Sequence, residues 1–173
     1  MRQGDRLQDA IGVFDSGMGG LTVLRALRLR LPATNFVYLG DTARLPYGTK
    51  SPATVVKYAE QAAKTLVDRG VRAIVVACNT ASGIALDKLQ SHFAPLPVFG
   101  VVAPGAQAAC EVMDGSGVLV LATESTVGWG AYQRAISKLR SDAKIFARAC
   151  PLWVAVAEQG IAAGDLAEVV IGH

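Results

Sequence analysis

Short, fully apolar runs alternate along the chain with longer stretches in which apolar residues recur at helical spacing. The clearest short run is 73–77, Ala-Ile-Val-Val-Ala, which is apolar throughout and rich in β-branched residues. A run of this kind is typical of a strand buried on both faces of a parallel sheet. Cys78 and Asn79 follow it directly. The pattern therefore predicts a thiol at the carboxyl end of a central strand, where either Asn79 or Thr80 caps the next helix.

The same alternation continues on both sides of this strand. Apolar runs predict further strands over 11–16, 35–40, 98–102, 118–122 and 144–149. Helical spacing predicts helices from Leu21, after Ser51-Pro52, and over 81–90, 104–113, 131–139 and 152–159. Strands that alternate with helices indicate an α/β fold of open, mostly parallel sheets with helices on both faces. Four leucines should form the buried face of the first helix: Leu21, Leu24, Leu27 and Leu31.

A pair of prolines, Pro95 and Pro97, interrupts this rhythm before it restarts. We therefore expect a domain boundary there, with a first α/β domain over 1–97 and a second of similar build over 98–173. The two halves share a coarse pattern of strands that end in small polar residues, without a strict repeat.

Composition narrows the class of protein. Of the 173 residues, 51% are hydrophobic and 18% are charged, which excludes a disordered chain. The net charge of +3 is mild, and the one local basic cluster (Arg25, Arg28 and Arg30) fits the wet face of a helix, so we expect no nucleic-acid partner. No apolar run approaches the ~18 residues of a membrane helix, and 1–10 is polar. We therefore expect a cytoplasmic protein with no membrane partner.

Cysteine and histidine usage argues against metal centres and disulfides. The three cysteines are widely spaced, as is typical of free thiols in a reducing compartment. With two histidines and no Cys-x-x-Cys motif, we expect no metal site.

In a parallel sheet, three strand ends would meet at one rim: Asp15-Ser16, Asp41-Thr42 and Cys78-Asn79-Thr80. Two of these strand ends have a purely structural alternative. Cys78 also fits an inert core position, and Asp15-Ser16-Gly17 also fits a capped turn. The loop 45–48, Leu-Pro-Tyr-Gly, is either a simple turn or a flap whose Tyr47 hydroxyl and Gly48 N–H close over a ligand. Thr126 fits a helix cap better than a ligand contact.

The chemistry of this rim favours an amino acid over a phosphate ester, because no Lys or Arg lies in these motifs. The glycines of 17–20 lack the spacing of a dinucleotide loop. Cys78 has no histidine partner in these motifs, so a role as a base fits it better than a role as a nucleophile, and the neighbouring helix N-terminus is expected to lower its pKa from about 8.5. Asp15 would orient a substrate ammonium or assist proton transfer, while hydroxyl and N–H groups would hold carboxylates.

These residues closely resemble the glutamate racemases, of the cofactor-independent aspartate/glutamate racemase superfamily. The motifs that carry the resemblance are 14–21 (Phe-Asp-Ser-Gly-Met-Gly-Gly-Leu), 45–48 (Leu-Pro-Tyr-Gly), 77–81 (Ala-Cys-Asn-Thr-Ala), 100–105, 122–127, 130–132 and 149–154. The first three of these motifs are specific, and they occur in the same order as in the family. The similarity extends from Ile11 over almost all of the chain.

The resemblance implies interconversion of L- and D-glutamate by thiol-mediated proton transfer at the α-carbon, without pyridoxal phosphate or another cofactor, supplying D-glutamate for peptidoglycan. Cys78 would be one of two catalytic thiols, assisted by Asp15. Substrate contacts would come from Ser16, Tyr47, Gly48, Asn79, Thr80 and Thr126. Cys150 matches a family cysteine that is not catalytic.

One departure from the family pattern concerns the second thiol, which relatives carry in a Cys-Thr-His motif further along. This sequence reaches His173 without that motif, and Cys110 and Cys150 lack the flanking Thr-His. We therefore expect an incomplete second domain, a poorly active racemase, and uncovered apolar surface that favours a homo-oligomer. Aspartate racemase and a non-catalytic amino-acid-binding relic stay open as alternatives, with a thiol hydrolase more distant.

Overall fold

A four-stranded parallel sheet in the first part of the chain positions most of the residues singled out above. The computed structural model describes residues 9–115, 117–158 and 164–172. Neighbouring strands all run parallel in the order β2-β1-β3-β4, where the strands are β1 (Ile11–Asp15), β2 (Phe36–Gly40), β3 (Ala73–Val76) and β4 (Val98–Gly100). A second sheet pairs β5 (Val118–Ala122) in parallel with β6 (Ile145–Ala149). The expected parallel α/β arrangement is confirmed.

Helices connect these strands. They are α1 (Leu21–Arg30), α2 (Pro52–Val67), α3 (Asn79–Ile84), α4 (Leu86–Phe93), α5 (Val102–Val112), α6 (Glu124–Trp129), α7 (Ala131–Leu139), α8 (Pro151–Glu158) and α9 (Asp165–Ile171), with a 3-10 turn over Tyr47–Thr49. The polar 1–8 segment, Gln159 at the end of the last predicted helix, and His173 lie outside the described residues. In the described part of the chain, no helix is both long and apolar enough to cross a membrane.

The core forms between the first sheet and helix α2. Ser51 caps α2 by accepting the Thr54 N–H, and Pro52 fits the first helical position because no helical partner is needed for its nitrogen. The apolar face of α2 is buried against the strands, as its spacing predicts, and Ile74 and Val76 of β3 are fully buried. Burial of these aliphatic side chains fixes the register of the central strands.

The strand order creates a switch point between β1 and β3. From β1 the chain crosses to β2 on one side of the sheet, and then returns to β3 on the other side. The carboxyl ends of β1 and β3 therefore open a crevice between connections that leave in opposite directions, which is where open α/β sheets bind ligands. Asp15 ends β1, and Cys78 follows β3.

Among the boundaries that differ from the predicted ones, three concern the elements that follow β3 and β4. The single helix predicted over 81–90 is two helices, since the backbone at Ala85 (φ −109°, ψ −11°) ends α3 and turns α4 so that Leu89 is buried. The cap of α3 is Cys78, not Asn79 or Thr80. Strand β4 stops at Gly100, and α5 begins at Val102, two residues before the predicted start, because a proline in the first turn lacks only an N–H that has no helical partner.

The burial of helix α1 also differs from expectation, because its leucines were expected to form a buried face. No residue of this helix is buried, and Leu21 and Leu31 are 44% and 41% exposed. The described helices and strands do not pack over these leucines completely, so their side chains stay partly exposed to solvent.

The expected boundary at residue 97 precedes β4, which pairs with β3 in the first sheet. Residues Val98–Gly100 therefore lie with the first part of the chain, and the division into two domains stays a prediction. Below, "first part" means the chain through β4, and "second part" means the described chain from α5 onward.

Candidate functional site

A cavity of about 570 Å³ opens at the carboxyl ends of β1 and β3. It brings together the eight residues to which the sequence gives a catalytic or binding role: Asp15, Ser16, Tyr47, Gly48, Cys78, Asn79, Thr80 and Thr126. The third predicted strand end, Asp41-Thr42, is not among the lining residues. The second part of the chain supplies the opposite wall from β5, α6 and α7, including Thr123 and Tyr132. Residues that are far apart in sequence thus line one open cavity.

Cys78 sits at the centre of this arrangement, only 5% exposed. Its Sγ lies 3.3 Å from Ser16 Oγ and accepts the Ala81 N–H at 3.4 Å, as the cap of α3. Ser16 follows β1 and Cys78 follows β3, so this contact joins the two strand ends across the switch point. The thiol is buried as part of the hydrophobic core cluster, and two polar groups contact its sulfur.

Burial raises the pKa of the Cys78 thiol, and the expectation of a lowered pKa is wrong. Loss of water around the sulfur is the largest cause, because it disfavours the thiolate. Hydrogen bonds from the Ser16 hydroxyl and the Ala81 N–H act in the opposite direction, and the nearby Asp15 carboxylate adds to the increase. Cys78 is therefore a neutral thiol at neutral pH.

Asp15 is buried, and its carboxylate organises the loop that follows β1. Its Oδ2 accepts the N–H groups of Gly17 at 3.2 Å and of Gly20 at 2.9 Å. The amides of this glycine loop therefore bind a carboxylate of their own chain, which agrees with the weak dinucleotide signal in the sequence. Gly20 is needed for close approach, since a Cβ there would lie 2.6 Å from the Asp15 Cβ.

Tyr47 lines the cavity, but its hydroxyl serves a neighbouring carboxylate. It donates to Asp41 Oδ2 at 2.5 Å, and burial together with this hydrogen bond raises the Tyr47 pKa. Arg44 pairs with the same Asp41 at 2.7 Å. Because the one hydroxyl proton of Tyr47 is donated to Asp41, only the oxygen of this hydroxyl is left to accept from a ligand, and its contact with a ligand stays a prediction. Asp41 thus holds the 45–48 loop in place.

The second part of the chain holds the same loop from the other side. Ser125 Oγ donates to the carbonyls of Gly48 at 2.7 Å and of Lys50 at 3.1 Å. A Cβ on Gly48 would lie 2.4 Å from the Thr123 Cβ, so only glycine lets the loop pack this closely on α6. Sequence reasoning missed Ser125, since nothing local marks a serine that bonds a distant turn.

Three threonine hydroxyls meet where the two parts of the chain touch. Thr80 Oγ1 lies 3.1 Å from Thr123 Oγ1 and 3.0 Å from Thr126 Oγ1, and Thr123 donates to Thr126 at 2.9 Å. The cap of α6 is Thr123, which accepts the Thr126 N–H, so the interpretation of Thr126 as the cap is wrong. The Thr-x-x-Thr spacing is the signal that could have identified Thr123.

The remaining cysteines do not contribute to the cavity wall. Cys150 is buried and Cys110 half-buried, both free, and neither is among the residues that line the cavity. Across the ranges that the structure describes, no group of three His, Cys, Asp or Glu side chains is arranged to hold a metal ion.

Comparisons with known proteins agree with this geometry. The family profile described as Asp/Glu/Hydantoin racemase matches residues 16–172. Glutamate racemase of Aquifex aeolicus is 46% identical over 163 residues, which are 94% of this chain and 63% of that protein. Glutamate racemase of Geobacter metallireducens is 47% identical over 160 residues, covering 92% of this chain and 59% of the relative.

Solved structures give the same result. Glutamate racemase of Francisella tularensis in complex with D-glutamate superposes with a TM-score of 0.87 at 41% identity, covering 95% of this chain and 61% of that one. The Thermus thermophilus racemase in complex with β-chloro-D-alanine has a TM-score of 0.82 at 48% identity, with 95% and 60% coverage. The chain thus spans about three fifths of the length of these relatives.

Removal of the Ser16 hydroxyl tests the electrostatic balance at the thiol. In a background where Cys110→Ala and Cys150→Ala leave Cys78 as the one thiol, Ser16→Ala should move the pH profile of alkylation to higher pH. The reason is that the lost hydrogen bond favours the thiolate, so its loss raises the pKa further. The iodoacetamide rate at pH 8 should fall by about threefold to tenfold.

The matched control is Ser91→Ala, which removes an exposed serine hydroxyl on α4. It should leave the alkylation profile where it was. A profile that stays in place or moves to lower pH in Ser16→Ala would show that Ser16 does not stabilise the thiolate.

Proposed function

The chain belongs to the Asp/Glu/hydantoin racemase family, and on that premise we propose that it binds glutamate and moves a proton at the substrate's α-carbon without a cofactor. The observation that carries this proposal is the Cys78 thiol, which lies in the cavity beside Ser16 and Asp15. A thiol is a competent general base for a carbon acid once it is ionised.

The cavity lining supports an amino-acid ligand. None of the described residues that line it is Lys, Arg or His. Carboxylate groups would instead be held by hydroxyl and N–H donors from Ser16, Gly48, Asn79, Thr80 and Thr126, while Asp15 faces the ammonium. Asp15 thus supplies one negative charge opposite the substrate ammonium, whereas the two substrate carboxylates depend on neutral hydroxyl and N–H donors.

The raised pKa of Cys78 is consistent with a role as a base, because a bound substrate would lower that pKa. A substrate ammonium placed near Asp15 also lies near the sulfur and favours its charged form. The Ser16 hydroxyl and the Ala81 N–H are already in place to stabilise the thiolate. The thiol loses its proton to solvent, and the resulting thiolate takes the α-proton, which breaks the Cα–H bond and forms the thiol again. The substrate carbanion then takes a proton from this thiol, whose proton exchanges with solvent. The site thus gains its base when the substrate is present.

Net inversion needs a second acid–base group on the opposite face of the α-carbon. Neither Cys110 nor Cys150 lines the cavity, which gives one thiol for a reaction that uses two. We therefore propose that these 173 residues alone racemise glutamate poorly. The same observation favours a second candidate function, that of an amino-acid-binding module.

Glutamate is proposed over aspartate because the Francisella tularensis relative carries D-glutamate in its structure. Supply of D-glutamate for peptidoglycan in the cytoplasm would follow from this activity.

Polarimetry together with calorimetry tests the proposal. D-glutamate should bind, and D-aspartate should bind more weakly. Net racemisation should be at least about a hundredfold slower than that of the Aquifex aeolicus enzyme measured in parallel, since one acid–base group is missing. Turnover equal to that enzyme would refute the need for a second thiol, and absence of glutamate binding would refute the substrate.

Self-association is a separate expectation, because large apolar side chains are exposed on the second part. Phe146 of β6 is 59% exposed and Leu152 of α8 is 62% exposed. We propose a homo-oligomer that covers this surface. Sedimentation velocity should show species larger than the monomer, and Phe146→Ser should shift the distribution toward the monomer. A single monomer boundary at all concentrations is the opposing result.

A further inference from the structure

We propose that Tyr132 is a positioning residue that turns the carboxamide of Asn79 so that its amino group, and not its oxygen, serves the ligand. The inference rests on the proposed function, since it assumes that a carboxylate occupies the cavity. It adds a residue of the second part to the ligand-binding machinery of the first.

The two residues come from opposite walls of the cavity. Asn79 is the first residue of α3, directly after Cys78, and Tyr132 lies in the first turn of α7. The Tyr132 hydroxyl donates to Asn79 Oδ1 at 2.7 Å, and both residues line the cavity. The hydrogen bond therefore crosses from one part of the chain to the other at the wall of the cavity.

A carboxamide has one acceptor oxygen and one amino group with two donors, which diverge from the same carbon. When Oδ1 accepts from Tyr132, the donors of Nδ2 are the part of the group left for a ligand. The chemistry recognised at this point is then that of an acceptor such as a carboxylate. The Tyr132 hydroxyl must keep its proton in order to donate to Oδ1. Burial raises the pKa of Tyr132, which favours the protonated form.

Asn79 needs such a partner more than its neighbours do. Its side chain is exposed, whereas Thr80 beside it is buried and is held by two threonine hydroxyls. An exposed carboxamide rotates freely in water and presents oxygen or nitrogen at random. The bond from Tyr132 selects one orientation before the ligand arrives, which reduces the entropic cost of binding.

The fold also leaves room for the tyrosine ring. A Cβ on Gly105 of α5 would lie 2.9 Å from the Tyr132 hydroxyl oxygen and 3.1 Å from its Cε1. Glycine at this position therefore allows the hydroxyl to reach Asn79. Gly105→Ala keeps the hydroxyl but displaces it, and so offers a second way to disturb the same contact.

The first experiment needs no ligand. The ¹⁵N–¹H resonances of the Asn79 carboxamide, assigned with Asn79→Ala, should shift in Tyr132→Phe and in Gly105→Ala. They should stay in place in Tyr58→Phe, which removes a tyrosine hydroxyl from a ring that packs on Tyr47 outside the cavity lining. Unchanged Asn79 resonances in Tyr132→Phe overturn the inference.

The second experiment measures the Kd of D-glutamate by calorimetry. Tyr132→Phe should weaken binding by about threefold to tenfold, the loss expected for one hydrogen bond, with little change in Tm. In the Asn79→Ala background the same change should have no further effect, because Tyr132 acts through Asn79. An equal loss in that background, or no loss at all, overturns the inference.

The two arms separate the inference from the function it rests on. If the unmodified chain does not bind D-glutamate, the proposed function fails, and the carboxamide resonances alone decide whether Tyr132 fixes Asn79. If the unmodified chain binds and Tyr132→Phe binds equally well, the proposed function survives and Tyr132 has no positioning role.

Discussion

The contact between the Ser16 hydroxyl and the Cys78 sulfur sets the conditions for the rest of the site. It links the carboxyl ends of β1 and β3 at the switch point of the sheet, at 3.3 Å. Loss of water disfavours charge on this sulfur, while the hydroxyl and the Ala81 N–H favour it. The thiol is therefore neutral at neutral pH, and the positive charge of the proposed substrate would favour its ionisation. A more exposed thiol would ionise more readily, and one without these donors would ionise less readily.

The second part of the chain holds in place the groups that the first part presents. Ser125 bonds the Gly48 carbonyl, Tyr132 bonds the Asn79 carboxamide, and Thr123 contacts the Thr80 hydroxyl. Each of these hydroxyls meets a residue that is proposed to touch the ligand. The cavity therefore depends on the contact between the two parts, and neither part contains it alone. Within the first part, Asp41 likewise holds the 45–48 loop in place by accepting the hydroxyl proton of Tyr47.

Most of the fold and the location of the site follow from local patterns in the sequence. The apolar run of β3 ends at Cys78, and parallel pairing brings that end beside Asp15. Features that depend on three-dimensional surroundings were not accessible in this way. The pKa of Cys78 depends on how deeply the sulfur is buried, and the hydroxyl of Tyr47 on its distance from Asp41. Likewise, a helical pattern such as that of α1 shows which face is apolar, but not whether anything covers it.

Proton exchange at the α-carbon of glutamate in heavy water tests the central claim most directly, because it reports removal of the proton even where inversion is slow. The account predicts that the α-proton signal of one enantiomer disappears with the unmodified chain and with Cys110→Ser, and persists with Cys78→Ser. Exchange that continues unchanged in Cys78→Ser would contradict it.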